Sequence, residues 1–436
     1  MLKIIRQYFH KSYRDSMVVQ SLLTLVLRVL GVLLLFGFTL FLTKNYSAHI
    51  IGQYDFVRTF LFVVGSICLL GFEQSILYFK GRLSGIKAID GIKNTYKKMV
   101  VVLLVMSVVL YAIIFILDEN WVNNYFADRN VYSMLLQATS ILFFYALTVL
   151  NTEVFRALDH LYVAELFRNT IKYIPVMVGS IILLSTSQEV LLPQVFSYGF
   201  VVLGVASSLL LLYYFSTSAG SFANNSFSYK EITTKSYPIA ISGMAMFLLM
   251  SFDVLFLKKY RDDATVAYYG VAVKIITMLT MIVLTVTITI SSKISEYFQA
   301  ENWKELHNIL KKSSRLILLI SLPIALFLAV FVSPILAFFG KDYLVAKEPL
   351  LILLFGQFIC AFFGSARVYL NMTGRQAIFQ RTLLIAVGIN FVLNRFLIPV
   401  YGMNGAAIAF VVSTFFWNIV AAIIIYKKDK LIVLFH

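Results

Sequence analysis

Long apolar runs separated by short polar loops fill this sequence. A helix that crosses a bilayer needs roughly 20 mostly apolar residues, and about twelve segments of the 436-residue chain reach that length. Their approximate bounds are 17–43, 54–79, 96–117, 131–156, 162–185, 192–215, 238–258, 267–292, 316–339, 347–372, 381–400 and 405–426. The pattern predicts an all-α polytopic membrane protein.

The longest polar stretch in the middle of the chain is residues 216–237, which is rich in Ser, Asn and Lys. Its small apolar surface cannot offset the entropy that ordering would remove, so we predict a solvated cytoplasmic linker. The linker divides the chain into an N-terminal lobe of six helices, residues 1–215, and a C-terminal lobe of six helices, residues 238–436.

The two halves show weak sequence repetition. Residues 41–54, FLTKNYSAHIIGQY, align with residues 256–269, FLKKYRDDATVAYY, at an offset of 215 residues. A second alignment pairs residues 167–170 with 379–382 at an offset of 212. Matches this short also arise by chance between apolar helices, but the similar offsets favour a duplication. Duplicated transporters commonly bind their substrate between the repeats.

Composition excludes a soluble globular domain, because 60% of the residues are hydrophobic, 13% are charged and the mean hydropathy is +0.86. The formal charge of +16 would suggest nucleic acid in a soluble chain. Here the basic residues gather at helix ends, which indicates topology signals and contact with lipid headgroups instead. Their positions, including Lys3, Arg6, Lys11 and Arg14, predict that both termini are cytoplasmic. The amphipathic stretch 293–315 predicts a helix on the inner membrane surface.

Ionisable residues inside the spans are the candidate functional residues, because a charge in hydrocarbon is costly and normally faces a wet interior. Arg28 lies about eleven residues into the first span, roughly 16 Å deep at the helical rise. The spacing of Glu165, Arg168, Asn169 and Lys172 predicts that they share one helical face. We expect Arg28 and Lys172 to line a cavity. The other predicted substrate-binding residues are Arg168, Arg58, Lys274 and Arg395, and the candidates for ion coupling are Asp253, Glu73 and Glu153.

Simpler roles remain open for most of these residues. Arg58, Arg168, Lys274 and Arg367 lie near enough to a membrane face to extend to the headgroups, and the three acids could pair with neighbouring cations. If the cations do face a cavity, the substrate is an anion, because guanidinium and ammonium groups bind phosphate oxygens. Exporters of cationic drugs should show acidic and aromatic linings instead.

Several stretches carry a family resemblance. Fourteen residues separate the pair Tyr237-Pro238 from Asp253, and the sequence YYGVA follows at 268–272 with Lys274. Residues 390–409 contain the pattern N-x3-N-x2-LIP-x-YGMNGAAIA, and GQY and FRAL occur at 52–54 and 155–158. These stretches resemble the Wzx-type oligosaccharide flippases of the polysaccharide transport family, in the superfamily that also contains MurJ and the MATE exporters.

The resemblance implies two lobes in a V around a central cavity that opens alternately to each side of the bacterial cytoplasmic membrane. Arg28 and Lys172 would bind the pyrophosphate of an undecaprenyl-linked oligosaccharide, which lobe movement would carry to the outer leaflet. Membrane lipids, a polysaccharide polymerase and glycosyltransferases of the same pathway would be partners.

Two other functions remain open. One is a multidrug or cation antiporter of the MATE type, and the other is a membrane-embedded polysaccharide polymerase or ligase. Enzymatic activity is disfavoured because the sequence shows no nucleophile–base pairing, metal-ligand spacing or phosphate-binding Gly loop. For the same reasons we expect neither a cofactor nor a metal.

Overall fold

The structure is a computed structural model that describes residues 16–83, 88–217 and 227–431, and all regular elements in these ranges are helical. The helices of the first half are α1 (Ser16–Asn45), α2 (Ala48–Leu69), α3 (Phe72–Arg82), α4 (Ala88–Ile116), α5 (Glu119–Phe126), α6 (Val131–Ser140), α7 (Leu142–Ala157), α8 (Leu161–Asn169), α9 (Ile174–Ser185) and α10 (Leu192–Thr217). Those of the second half are α11 (Tyr229–Leu249), α12 (Phe252–Tyr260), α13 (Asp263–Gln299), α14 (Trp303–Val330), α15 (Val332–Phe339), α16 (Lys347–Phe363), α17 (Ala366–Met372), α18 (Gln376–Tyr401) and α19 (Met403–Asp429). Short 3₁₀ turns occupy Ile171–Tyr173, Glu189–Leu191 and Lys341–Ala346.

The predicted all-α, multi-span architecture is confirmed. Within the described ranges, nine helices or helix series are long and apolar enough to cross a membrane. The number rises to eleven if the bent pairs α6–α7 (46°) and α11–α12 (42°) each make one crossing. Each of the twelve predicted segments falls on one helix or on consecutive helices. The segment 267–292 lies in α13, which is not among those eleven.

Two predicted spans that read as continuous in the sequence are broken by glycines. In the second span, Leu70 and Gly71 adopt positive φ angles of 48° and 76°, and a Cβ on Gly71 would lie 2.6 Å from the backbone nitrogen of Ala240. In the tenth span, Gly364 has φ 57° and ψ −116°, and a Cβ there would collide with Ser314. At each position only glycine tolerates both the positive φ angle and the close approach of another helix. Each span therefore turns where that other helix approaches.

The two lobes have largely separate hydrophobic cores. The core of the first lobe draws on residues between Phe38 and Ile232 together with Ala267 of α13, whereas two clusters between Ala245 and Leu431 form the core of the second. Residues 218–226 of the predicted linker, like the basic residues 1–15, lie outside the described residues. The last part of the predicted linker is helical, because the Ser228 side chain caps α11 by accepting a hydrogen bond from the Glu231 N–H. The exact lobe boundaries stay a prediction.

The helix ends repeat at the offset seen in the sequence. Helix α1 ends at Asn45 and α2 begins at Ala48, while α12 ends at Tyr260 and α13 begins at Asp263, so both ends are 215 residues apart. The intervening N-caps, Ser47 and Asp262, also match, and each accepts a hydrogen bond from the backbone N–H three residues later. This agreement in structure supports the duplication.

The expected surface helix over 293–315 is not a separate element. Helix α13 continues to Gln299, and α14 begins at Trp303 with Asn302 as its N-cap. The apolar residues Leu306 and Leu310 of this stretch are fully buried in the second lobe. The amphipathic pattern therefore reflects helix packing against protein rather than against lipid.

Candidate functional site

Helices α2 and α13 cross closely and join the two lobes. The crossing depends on Gly52 and Gly270, because a Cβ on the first would collide with the Asp263 backbone and a Cβ on the second with the Asp55 carboxylate. This proximity puts the Lys274 ammonium of α13 at 2.8 Å from the Asp55 carboxylate of α2. The crossing is thus built on both a steric fit and an ion pair.

Asp55 also pairs with Arg58 at 3.3 Å, so one carboxylate serves two of the predicted substrate-binding cations. The Asp55 side chain is only 1% exposed. Sequence analysis missed Asp55 because it stands at the very start of the predicted second span. Its spacing of three residues before Arg58, which places both on one helical face, was the available signal. Binding of substrate by Arg58 and Lys274 stays a prediction.

A second charged network lies within the first lobe. Arg28 donates hydrogen bonds to Glu165 at 3.0 and 3.3 Å, and Arg168 bridges Glu165, at 3.7 Å, and Glu153. Glu153 also lies 3.7 Å from Arg156. Three guanidinium groups therefore share two carboxylates, which leaves this network with an excess positive charge.

Lys172 does not lie on the same helix as Glu165, contrary to the predicted single face. Helix α8 ends at Asn169, and Lys172 falls in the 3₁₀ turn before α9. Pro175, near the start of α9, cannot donate a backbone hydrogen bond to residue 171, which is one physical reason for the break. The Lys172 ammonium lies 4.9 Å from the Tyr173 ring centroid and has no carboxylate partner among the described residues.

An apolar groove of about 430 Å³ lies between α1 and α9, with Leu30 and Leu34 on α1 and Ile174 on α9 among its walls. Arg28 and Lys172 are near these residues in the sequence, but neither is among the described residues that line the groove or the two cavities described below. The expectation that Arg28 and Lys172 line a cavity stays a prediction.

A third charged cluster joins the lobes at the end where α2 and α13 begin. The Lys258 ammonium lies 2.5 Å from both Asp128 of the first lobe and Asp263 of the second, and His49 lies 3.4 Å from Asp263. Burial favours a higher pKa for Asp128, but its hydrogen bond with Lys258 and the backbone N–H of Asn130 bring the pKa below its ordinary value.

Arg395 also lies towards this end, where it donates a hydrogen bond to the Tyr260 hydroxyl and its side chain is exposed. It does not line either of the two cavities described below. Its predicted role in substrate binding is not supported by this placement and stays a prediction.

The three candidates for ion coupling differ in their partners. Asp253 is 2% exposed and accepts a hydrogen bond from the Tyr269 hydroxyl at 2.6 Å, while its second oxygen is buried without a partner in the described residues. Glu73 likewise has one buried carboxylate oxygen without a described partner, whereas Glu153 is paired with arginines. No three His, Cys, Asp or Glu side chains among the described residues are placed to hold a metal ion.

Two cavities open on the second lobe. The first, here called the deep cavity, has a volume of about 380 Å³ and lies among α11, α13, α16, α17 and α19, with Arg156 reaching it from the first lobe. The second, here called the wide cavity, has about 910 Å³ and lies where α11 and α18 begin, with Gln74 and Tyr78 of α3 on one wall. They share the residues Met246, Met250, Arg367, Asn371 and Met372.

All charged side chains that line these two cavities, among the described residues, are basic. They are Arg156 and Arg367 in the deep cavity, and Lys235 and Arg367 in the wide cavity. Sequence analysis considered Arg367 able to extend to the membrane face. The break at Gly364 changes this, because it starts the short helix α17 and turns Arg367 towards the cavities.

Comparison with known proteins identifies the fold. Residues 238–396 match the MatE family, and no curated protein matches the chain. The structure of the lipid II flippase MurJ in an inward closed conformation is similar, with a TM-score of 0.72 and 14% identity over 94% of this chain and 87% of that one.

Two multidrug transporters are similar as well. An inward-facing MATE transporter of the MOP superfamily has a TM-score of 0.68 and 14% identity, covering 94% of this chain and 98% of that one. The MATE multidrug transporter DinF-BH in complex with R6G has a TM-score of 0.65 and 14% identity, covering 94% of each chain. The protein therefore has the two-lobed, multi-pass membrane transporter fold that MurJ and the MATE proteins of the MOP superfamily share.

Proposed function

We propose that this protein is a flippase of the Wzx type, which moves an undecaprenyl-pyrophosphate-linked oligosaccharide from the inner to the outer leaflet of the bacterial cytoplasmic membrane. The observation that carries the proposal is the basic lining of the deep and wide cavities by Arg156, Lys235 and Arg367. Cations held in a membrane interior favour an anionic headgroup, and guanidinium groups pair well with phosphate oxygens. The similar structure of MurJ is that of a lipid II flippase, which supports a lipid-linked substrate.

Arg28 and Lys172 are the proposed contacts for the pyrophosphate. The network around Arg28 has more guanidinium than carboxylate groups, and Lys172 has no described carboxylate partner. An incoming pyrophosphate would supply the missing negative charge. The apolar groove between α1 and α9 would accept part of the lipid chain, since its walls are mainly aliphatic and include Leu30 and Ile174, each two residues along the chain from one of these cations.

The arrangement of the lobes supports alternating access. At one end, the Gly52–Gly270 crossing and the Lys258 ion pairs hold the lobes together. The wide cavity lies towards the opposite end, near the beginning of α11. If the basic loops mark the cytoplasm, as the positive-inside rule predicts, the wide cavity faces the leaflet in which the lipid-linked sugar is made. Both termini would then be cytoplasmic.

A multidrug antiporter is the second candidate, because residues 238–396 match the MatE family and DinF-BH has a similar structure. The basic cavities argue against it, since a cationic drug would be repelled by Arg156 and Arg367. Expression of the protein in a drug-sensitive strain separates the two functions. Resistance to cationic dyes, without translocation of a lipid-linked glycan, would favour the antiporter.

The experiment for the flippase uses the full chain in proteoliposomes. A fluorescent polyprenyl-pyrophosphate oligosaccharide is added, and its movement between leaflets is followed by quenching with a membrane-impermeant reductant. We expect the double variant R28A/K172A to lose translocation, because both proposed pyrophosphate contacts are gone. A normal rate in R28A/K172A would overturn the assignment of these two residues.

The matched control is R381A/K427A, which removes the same residue types from exposed positions outside the charged network around Arg28. This control should translocate at the rate of the unchanged protein. Comparable elution of both variants in size-exclusion chromatography shows that the loss is not one of folding. No translocation by the unchanged protein would overturn the flippase proposal itself.

A further inference from the structure

The deep cavity has a polar lining that the pyrophosphate proposal does not use. Besides its two arginines, its walls carry the amides of Gln357, Asn371 and Asn418, the hydroxyl of Thr414 and the indole of Trp417. Amides and hydroxyls both donate and accept hydrogen bonds. Such a wall suits a ligand that presents many hydroxyl groups.

Much of this hydrogen-bonding capacity is unused. Thr414 is 4% exposed, and its hydroxyl is buried without a hydrogen-bond partner. The side chains of Gln357, Arg367 and Asn371 are exposed or partly exposed in the cavity wall and have no hydrogen-bond partner among the described residues. Because buried polar groups in proteins are nearly always paired, the unpaired Thr414 hydroxyl beside these three groups indicates the place of a polar ligand or its water.

The short helix α17 holds the guanidinium of Arg367 and the amide of Asn371 close together. Helix α17 begins after the turn at Gly364 and carries Arg367 and Asn371, which are four residues apart and so lie on the same helical face. Both line the deep cavity. A substituted sugar ring can therefore meet a guanidinium fork and an amide from one rigid turn.

The charge of this cavity points to a single carboxylate rather than a pyrophosphate. In the second lobe, Arg367 is the one cation among the described residues that line the deep cavity. Arg156 reaches it from the first lobe but lies 3.7 Å from Glu153, which offsets part of its charge. One planar guanidinium matches one carboxylate in a bidentate pair, whereas the proposed pyrophosphate contacts, Arg28 and Lys172, are not among the described residues of this lining.

We propose that the deep cavity binds an acidic sugar unit, of the uronic acid class, within the glycan that the protein transports. Arg367 pairs with the sugar carboxylate, Gln357 and Asn371 bind its hydroxyls, and the apolar face of Trp417 with Met246 contacts its C–H groups. This inference rests on the proposed flippase function. It makes Arg367 a determinant of which glycan is accepted.

The two native cysteines provide a reporter for binding. Cys360 lines the deep cavity, whereas Cys68 is 0% exposed and lies in the core of the first lobe. Alkylation of the folded full-length protein in nanodiscs by N-ethylmaleimide should therefore report on Cys360. The rate is measured with sodium glucuronate, glucose or inorganic pyrophosphate present, and mass spectrometry identifies the modified cysteine.

We expect glucuronate to slow alkylation of Cys360, and glucose and pyrophosphate to do so much less. R367Q should raise the glucuronate concentration for half-protection by about tenfold or more, because a hydrogen bond to a charged group is lost. R381Q is the matched control, since Arg381 is an exposed arginine of the same lobe that lines neither cavity. Its protection should equal that of the unchanged protein.

Several results would overturn the inference. Equal protection by glucose would show that the carboxylate is not recognised, and equal protection by pyrophosphate would make this a phosphate site. Absence of protection by glucuronate would show that the deep cavity does not bind an acidic sugar. Full protection by glucuronate in R367Q would show that Arg367 is not the group that binds the carboxylate. Comparable elution of R367Q and the unchanged protein in size-exclusion chromatography shows that the variant is folded.

The translocation assay distinguishes refutation of the acidic-sugar site from refutation of the proposed flippase function. If the unchanged protein translocates the lipid-linked glycan but glucuronate does not protect Cys360, only the acidic-sugar site is refuted. If glucuronate protects Cys360 but no lipid-linked glycan moves, the site stands and the flippase proposal falls.

Discussion

Replacing Asp55 with Asn should weaken the contact between the lobes. The change keeps the shape of the side chain but removes the carboxylate that lies 2.8 Å from the Lys274 ammonium and 3.3 Å from Arg58. The Lys274 side chain is only 7% exposed. D55N therefore leaves an ammonium group buried without its carboxylate, next to a second cation.

The expected cost follows from this burial. Removal of one partner from a buried ion pair costs about 3–5 kcal/mol, because the other charge remains desolvated. The matched control is D159N, since the Asp159 side chain is 81% exposed and pairs with Lys80 at 2.6 Å. An exposed pair of this kind contributes about 0–1 kcal/mol. The two Asp-to-Asn changes should therefore differ by several kcal/mol.

The measurement is the free energy of unfolding in mixed micelles, with SDS as the denaturant. The double variant D55N/K274M removes both charges, and we expect it to recover most of the stability that D55N loses. Equal destabilisation by D55N and D159N would show that the Asp55 pair is not effectively buried. Failure of K274M to rescue D55N would show that Lys274 is not the group left unpaired.

Two further predictions concern movement and coupling. G52A should hinder the close approach of α2 and α13, because the added Cβ collides with the Asp263 backbone. Cysteines introduced across this contact should cross-link more slowly in G52A. An unchanged cross-linking rate would show that the two helices do not approach this closely. Acidification should weaken the contact between Asp128 of the first lobe and Lys258 of α12. Since the pKa of Asp128 is below its ordinary value of 3.8, this bridge contributes stability above that value and is lost as the pH falls through the lowered pKa. The free energy of unfolding measured against pH should lose this contribution in D128N, and an identical pH dependence in D128N would contradict it. D253N should abolish any stimulation of transport by a proton or sodium gradient, because Asp253 is buried with a carboxylate oxygen that has no partner among the described residues. Transport at the normal gradient-driven rate in D253N vesicles would exclude Asp253 as the ion-coupling residue.

The sequence was sufficient to predict the positions of the apolar helices, because the length of an apolar run determines whether it can cross a bilayer. The predicted number, about twelve, exceeds the nine to eleven crossings found in the described residues. It was also sufficient to pair the ends of α1 and α12 by their 215-residue offset. The breaks at Gly71 and Gly364 could not be predicted in the same way. Each depends on another helix approaching the glycine, at Ala240 and Ser314 respectively, and a one-dimensional pattern does not contain that contact.

The charged partners were harder to predict than the charges. Arg28, Arg58 and Lys274 were all identified as unusual because they stand in apolar runs. The carboxylate partner of Lys274, Asp55, lies on a helix that is distant in sequence. The partner of Arg58 is the same Asp55, which stands at the start of the predicted second span. The position of Arg367 along the predicted span gives no sign that it lies on a separate short helix, α17, and lines the deep and wide cavities.

The wall between the deep and wide cavities is made largely of thioethers. Three of the five residues that both cavities share are methionines, Met246, Met250 and Met372. Methionine side chains are unbranched and change rotamer at little cost. A partition of this kind changes shape without a shift of the backbone. If the protein carries the proposed glycan, the two cavities can therefore accept chains of different width while Arg367 selects for charge.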